Sequence, residues 1–229
     1  MTAPLILYVH IHKTAGTAMR DLLFRTLGRK RCFWHGIDGT IEDLVAEDGG
    51  IDRYRLIGGH LRPHRPAVAA IQRPKIVLAL TREPVSQVVS HFQFASTQEG
   101  NALHTKASLQ DTLDDPSAAF TQFSRNVQCQ MLTGHGTAKE ALAVIKNGAY
   151  LVGAMERMPA FLAAYDTHIA PLNGVAPHQI NVQPPGYEKA FQDAAVQAKI
   201  ENLVAEDMAL HKAIVQEGVL AGALPARPD

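Results

Sequence analysis

Short apolar runs alternate along the chain with longer stretches in which apolar residues recur at helical spacing. Residues 5–11 and 75–80 are apolar on both faces, the pattern of strands in the middle of a parallel sheet, and residues 54–57 and 150–154 read as two further strands. Residues 17–27 place Met19, Leu22, Leu23 and Leu27 on one helical face, with Gly28 and the basic Arg29, Lys30 and Arg31 as a stop. Pro84 suits the first turn of a helix running to about residue 95. Further helices are predicted over 117–132, 138–146, 159–165, 187–198 and 200–216. Residues 96–116, polar and weakly periodic, read as a loop or mobile excursion, and the Pro- and Gly-bearing stretch 173–186 as a connection and candidate lid. Residues from about 219 read as a frayed tail. Strands alternating with helices predict an α/β fold: a central, mainly parallel sheet covered by helices on both faces.

Composition narrows this picture. A chain of 229 residues, 46% of them hydrophobic, sustains one substantial core, so a single domain over 1–229 is expected. Lys plus Arg and Asp plus Glu both number 22, a formal net charge of +0, which lacks the basic footprint of a nucleic-acid binder. No stretch approaches the roughly 20 apolar residues of a membrane helix, and no charged segment precedes residues 5–11. The expectation is a soluble, cytoplasmic protein with no transmembrane segment. Cys32 and Cys129 fit neither zinc nor disulfide spacing and read as unrelated free thiols.

The chemistry begins where the first strand meets the first helix. His12-Lys13-Thr14-Ala15-Gly16-Thr17 lies at the carboxyl end of a strand, where ligands of open α/β sheets bind and where a helix directs unpaired N–H groups outward. Gly16 permits close backbone approach to an anion, Lys13 supplies a point charge, and Thr14 and Thr17 supply hydroxyls. An oxyanion cradle is the reading. The plainer alternative is an ordinary turn with a solvated lysine and a capping threonine. The triphosphate loop G-x-x-x-x-G-K-[ST] is excluded, because here the lysine precedes the only glycine.

The segment HIHKTAGTA, residues 10–18, resembles the 5′-phosphosulfate loop of sulfotransferases that use 3′-phosphoadenosine 5′-phosphosulfate (PAPS). Within that family the resemblance is in particular to the carbohydrate (heparan sulfate 2-O-like) branch, as a soluble, bacterial-type member. LALTREPVSQVVSHF (78–92) resembles that family's 3′-phosphate segment, and GGHLRP (58–63) its G-H segment. SRNVQCQMLTG (124–134) is similar to its N-x-Q stretch, and YLVGAMERMPAFLAAY (150–165) to its later G-x-x-E segment. Matched segments in the same order cover about three quarters of the chain. The sequence departs from the family at His12, where proline is usual, and at Gln87, where arginine is usual. Its last quarter is similar only loosely.

The resemblance implies a P-loop NTPase-like three-layer α/β/α fold and transfer of a sulfuryl group from PAPS to an acceptor hydroxyl, on a carbohydrate or glycoconjugate, by in-line displacement without a metal. Lys13 would neutralise the departing phosphate, and the backbone of Thr14, Ala15, Gly16, Thr17 and Ala18 would hold the 5′-phosphate. Arg82 and Ser90 would hold the 3′-phosphate, their plainer roles being an ion pair with Glu83 and a helix-surface hydroxyl. His60, in the G-H segment, is the expected base, with His12 the alternative; His10, inside the strand, reads as a core residue. Glu156 reads as an exposed glutamate at a helix start, the alternative being an acid that orients a loop or binds an acceptor; Asn126 and Gln128 read as facing the cleft, and Trp34 with His35 as a sugar-stacking surface, or Trp34 as a partly buried tryptophan. Two rival readings remain: a small P-loop kinase using Mg-ATP, weakened by the order of the loop, and a non-catalytic protein binding an adenine nucleotide.

Overall fold

The computed structural model of the chain describes residues 3–97, 105–178 and 193–225. Its strands are β1 (Leu5–Val9), β2 (Cys32–Trp34), β3 (Leu56–Gly59), β4 (Lys75–Thr81), β5 (Tyr150–Ala154) and β6 (Val219–Ala221). They form one sheet in the order β2-β3-β1-β4-β5-β6, parallel throughout except for β6, which runs antiparallel to β5. The helices are α1 (Gly16–Leu27), α2 (Ile41–Ala46), α3 (Pro66–Ala69), α4 (Pro84–Thr97), α5 (Leu109–Asp114), α6 (Ala118–Ser124), α7 (Val127–Thr133), α8 (Ala138–Asn147), α9 (Met158–His168), α10 (Ala194–Leu203) and α11 (Ala205–Glu217). Among the described residues no helix is long and apolar enough to cross a membrane.

The two-residue period of a strand splits β1 between two cores. Leu5, Leu7 and Val9 face a cluster built with α2, α3, α7, α8 and α11, whereas Ile6 and Tyr8 face α1 and α9. All five residues of β1 are buried, which accounts for its unbroken apolar pattern. Met19, Leu22 and Leu23 of α1 are fully buried, and each side chain contributes about 1.5–3 kcal/mol. A third cluster joins α4, α5, α6 and α10.

From β1 the chain goes to β2, returns to β3, crosses to the other side of β1 as β4 and continues outward to β5. The helix after β1 packs on one face of the sheet and α7 and α8, which follow β4, on the other. The two connections diverge beyond the carboxyl ends of β1 and β4, and in open parallel sheets such a switch point is where the ligand crevice lies.

The structure corrects several expectations. β2 was absent from the pattern reading, because a three-residue edge strand is shorter than the runs that periodicity resolves. Residues 117–132 form two helices, broken where Asn126 takes a left-handed φ of 44°. Residues 96–116 contain α5, whose first turn is capped by the Ser108 hydroxyl. The break between the last two helices falls at Val204. Residues 219–221, read as frayed, are β6, paired with β5. Much of the candidate lid at 173–186, and the first residues of the helix expected from 187, lie outside the described residues.

Candidate functional site

The loop from β1 to α1 has an unusual backbone. Lys13 and Ala15 have φ of 64° and 59°, the left-handed region, which costs a non-glycine residue roughly 1–2 kcal/mol. Strain of this kind persists only where surrounding structure enforces it, and three hydrogen bonds do so here. The Thr14 hydroxyl donates to the Ile11 carbonyl (2.9 Å), Gln87 Nε2 to the His12 carbonyl (3.0 Å), and Arg82 Nη1 to the Lys13 carbonyl (3.2 Å). Gln87, where arginine was expected by resemblance, thus serves as a buried brace for the loop.

With the carbonyls engaged, the N–H groups remain. No described group accepts a hydrogen bond from the backbone N–H of Lys13 through Ala18, and the first N–H of α1 to find a carbonyl is that of Met19, on Ala15 at 3.0 Å. The N-terminus of α1 has neither a side-chain cap nor an acidic residue in its first turn. By contrast Thr40, Ser108, Ser117, Thr137 and Asp193 cap α2, α5, α6, α8 and α10. Turn backbone of this kind, opening a helix, makes a concavity of successive N–H groups with the positive end of the helix dipole behind it.

The side chains expected on an anion are distributed unevenly. The Thr14 hydroxyl is fully buried and committed to Ile11, so only the backbone N–H of Thr14 is offered. Thr17 is exposed in the first turn of α1, and Ala18 is buried and offers its backbone. Gly16 is close-packed against a ring: a Cβ at this position would lie 1.6 Å from His10 Nε2. The Lys13 ammonium rests 4.3 Å from the centre of the Phe94 ring, and burial, then the neighbouring Arg82, lowers its pKa. Ser90 lies one turn before Phe94 on α4, and therefore on the face that Lys13 approaches.

Four imidazoles form a column beside the loop. His10 stacks on His60 with ring centres 4.2 Å apart, His60 on His12 at 3.9 Å, and His12 on His91 at 5.4 Å. The interplanar angles are 20°, 12° and 9°. Burial is the main cause holding His10 near pKa 3, His12 near 2 and His91 near 4; the stacked rings and then Arg20, Lys13 and Arg62 add to it, while at His91 the hydrogen bond to the Phe123 carbonyl opposes it. Face-to-face neutral rings avoid the repulsion that stacked imidazolium ions would suffer. His60 is the exposed member, and its Nδ1 lies 2.7 Å from the His10 carbonyl. That contact requires Nδ1 to carry the proton, which leaves the Nε2 lone pair as the proton acceptor. Its pKa is lowered, chiefly because rings cover both faces, although the hydrogen bond to His10 opposes the shift. Among the described residues no three His, Cys, Asp or Glu side chains group as a metal site would require.

The residues that support Arg82 at the end of β4 come from segments that sequence reasoning placed differently. Gln128, expected to face the cleft, is fully buried: its Oε1 accepts from the Arg82 N–H (3.1 Å) and its Nε2 donates to the Arg82 carbonyl (2.9 Å). Asp207 accepts from the N–H groups of Gln128 (2.9 Å) and Cys129 (2.8 Å). Asn126, also expected in the cleft, caps α11 instead, accepting from the N–H of Glu206 at 3.1 Å. Glu156 is exposed and also holds the turn after β4, the alternative role: it accepts from the Glu83 N–H (2.9 Å) and meets His211 Nε2 (3.4 Å). Trp34 is buried in β2 under Gly58, which rules out a surface role. Cys32 and Cys129 are buried in clusters on opposite faces of the sheet, and burial raises both thiols.

The structure therefore brings Lys13, Arg82 and the N–H run together at the switch point between β1 and β4 and sets His60 against the loop through His12. What sequence missed were the residues that hold these groups: Gln87, Gln128 and His10. Of these only His10 left a local signal, since two-residue spacing in His10-Ile11-His12 puts both rings on one side of an extended segment. Neither comparison, with protein-family models or with curated proteins, gives a match to this chain.

Proposed function

We propose that this crevice binds PAPS and that the chain transfers its sulfuryl group to an acceptor hydroxyl, carbohydrate or glycoconjugate in class. The observation that carries the reading is the run of backbone N–H groups from Lys13 to Ala18, held by left-handed torsions at an uncapped helix start with Arg82 alongside. The strand, loop and helix there, at the switch between β1 and β4, support the P-loop NTPase-like reading of the fold. The loop would hold the 5′-phosphate and the sulfuryl oxygens, while Arg82 and Ser90 would take the 3′-phosphate.

In the transfer, the acceptor oxygen attacks sulfur in line, the bond from sulfur to the bridging oxygen breaks, and the acceptor proton passes to His60 Nε2. Negative charge develops on the bridging oxygen, where the Lys13 ammonium would meet it. The reaction is one of positioning and charge stabilisation, as in phosphoryl transfer. Lys13 must leave the Phe94 ring to do this, so the resting contact is a parked position.

The kinase alternative needs carboxylates for magnesium near the phosphates. The Glu83 carboxylate is instead engaged at the start of α4 by the N–H groups of Val85 (3.0 Å) and Ser86 (2.6 Å). Calorimetric titration with adenosine 3′,5′-bisphosphate and with Mg-ATP separates the two readings. The bisphosphate is expected to bind and, at about 100 times its Kd, to add about 2.7 kcal/mol of stability, with little effect of Mg-ATP. The reverse order would favour the kinase.

A further inference from the structure

Arg82 is the first residue past β4, where the sheet ladder ends, and its backbone is nevertheless held at both polar atoms by one side chain. The Gln128 carboxamide accepts from the Arg82 N–H at 3.1 Å and donates to the Arg82 carbonyl at 2.9 Å, taking the place of a strand neighbour. Gln128 is fully buried, and its own N–H is fixed by the Asp207 carboxylate at 2.9 Å. Beyond the clamp, the guanidinium reaches the Lys13 carbonyl. From Asp207 through Gln128 to Arg82 and Lys13, every link is a hydrogen bond, and together they join the interior of the protein to the loop of the crevice.

We propose that Gln128 is a positioning residue that makes the site selective for nucleotides bearing a 3′-phosphate, by fixing the backbone of Arg82 so that its guanidinium is presented in one place. The inference rests on the reading of Arg82 as the 3′-phosphate ligand. A fork of N–H donors discriminates only when pre-oriented; on a loose backbone the same arginine still attracts anions but no longer favours one phosphate position. Gln128 is suited to the task because a carboxamide offers one acceptor and one donor side by side, matching the N–H and C=O of a single residue.

The test compares adenosine 3′,5′-bisphosphate with adenosine 5′-monophosphate by calorimetry, in the wild type and in Gln128→Glu and Gln128→Met. Gln128→Glu keeps the shape and the acceptor but loses the donor; Gln128→Met keeps the length and loses both. In the wild type the bisphosphate is expected to bind at least about tenfold more tightly. Each variant should lose most of that ratio, with only a smaller fall in affinity for the monophosphate, since Arg82 also braces the Lys13 carbonyl, and circular dichroism should confirm the fold. A merely structural role would weaken both nucleotides together, and that parallel loss, or an unchanged ratio in both variants, overturns the inference. A wild type indifferent to the 3′-phosphate would instead overturn the assignment of Arg82 on which the inference stands.

Discussion

The ring of His10 occupies the space that a side chain at residue 16 needs, with Nε2, Cδ2 and Cε1 at 1.6, 1.9 and 2.3 Å from an ideal Cβ. Gly16→Ala must therefore push either the ring or the loop, at about 1–3 kcal/mol for overpacking, and nucleotide affinity should fall at least about tenfold as the N–H run is displaced. Removing the ring as well, in His10→Ala with Gly16→Ala, should restore part of both losses, a non-additivity read by urea denaturation and calorimetry. Normal binding by Gly16→Ala alone would show that the loop geometry is not what holds the ligand. A second residue prediction concerns His60. Because burial lowers its pKa from 6.5, the imidazole is neutral and base-competent at pH 7, and activity should decline only as pH falls below 6.5. His60→Ala should leave bisphosphate binding intact and slow acceptor-dependent release of the bisphosphate from PAPS by about 10² or more. Unchanged turnover would assign the proton to another group.

Two helices that are distant in sequence cap each other. Asp207, in the first turn of α11, accepts from the N–H groups that open α7, while Asn126, just before α7, accepts from the N–H groups that open α11. Asp207→Ala leaves two buried donors without an acceptor and should cost about 3 kcal/mol in urea denaturation; Asp207→Asn, which keeps one acceptor oxygen, should cost about half as much. Equal stability of the alanine variant would mean that the two helix starts are held by packing alone. This arrangement also explains what the sequence could and could not show at this scale. β1, β4, β5, α1 and α8 were readable because burial on a fixed face imposes its period on five or more consecutive residues. The break at Asn126 was not, since its cause is a hydrogen bond to residues 80 and 81 positions away, and apolar spacing continues across it. The site divides likewise: Lys13, Gly16 and Arg82 sit in local strand-end contexts, whereas the role of Gln128 exists only once α7 packs against the end of β4.

At the scale of the whole molecule the imidazole column ties stability to pH. His10, His12 and His91 titrate near 3, 2 and 4 when folded, against 6.5 when unfolded, mainly because they are buried. Between pH 6.5 and about 4 the unfolded chain therefore binds more protons at these sites than the native chain, rising to about three near pH 5, and stability falls as pH falls. Asp207 acts in the opposite sense: burial raises its pKa from 3.8 to about 6, so the native state gains a proton there first as pH drops. Three protons on one side less one on the other leave about two, or about 3 kcal/mol of stability lost per pH unit near pH 5. His60 and His211, also lowered by burial, act in the direction of the three. Against a total of about 5–15 kcal/mol for a typical domain, a drop of two pH units is enough to bring a protein near unfolding. Urea midpoints measured at pH 7, 6 and 5 should fall steeply below 6.5. His91→Gln, which keeps a donor for the Phe123 carbonyl but does not titrate, should flatten the fall by about one proton. A midpoint that stays constant from pH 7 to pH 5 would mean that the four rings are not held neutral in the folded protein, and the stack would have to be abandoned with them.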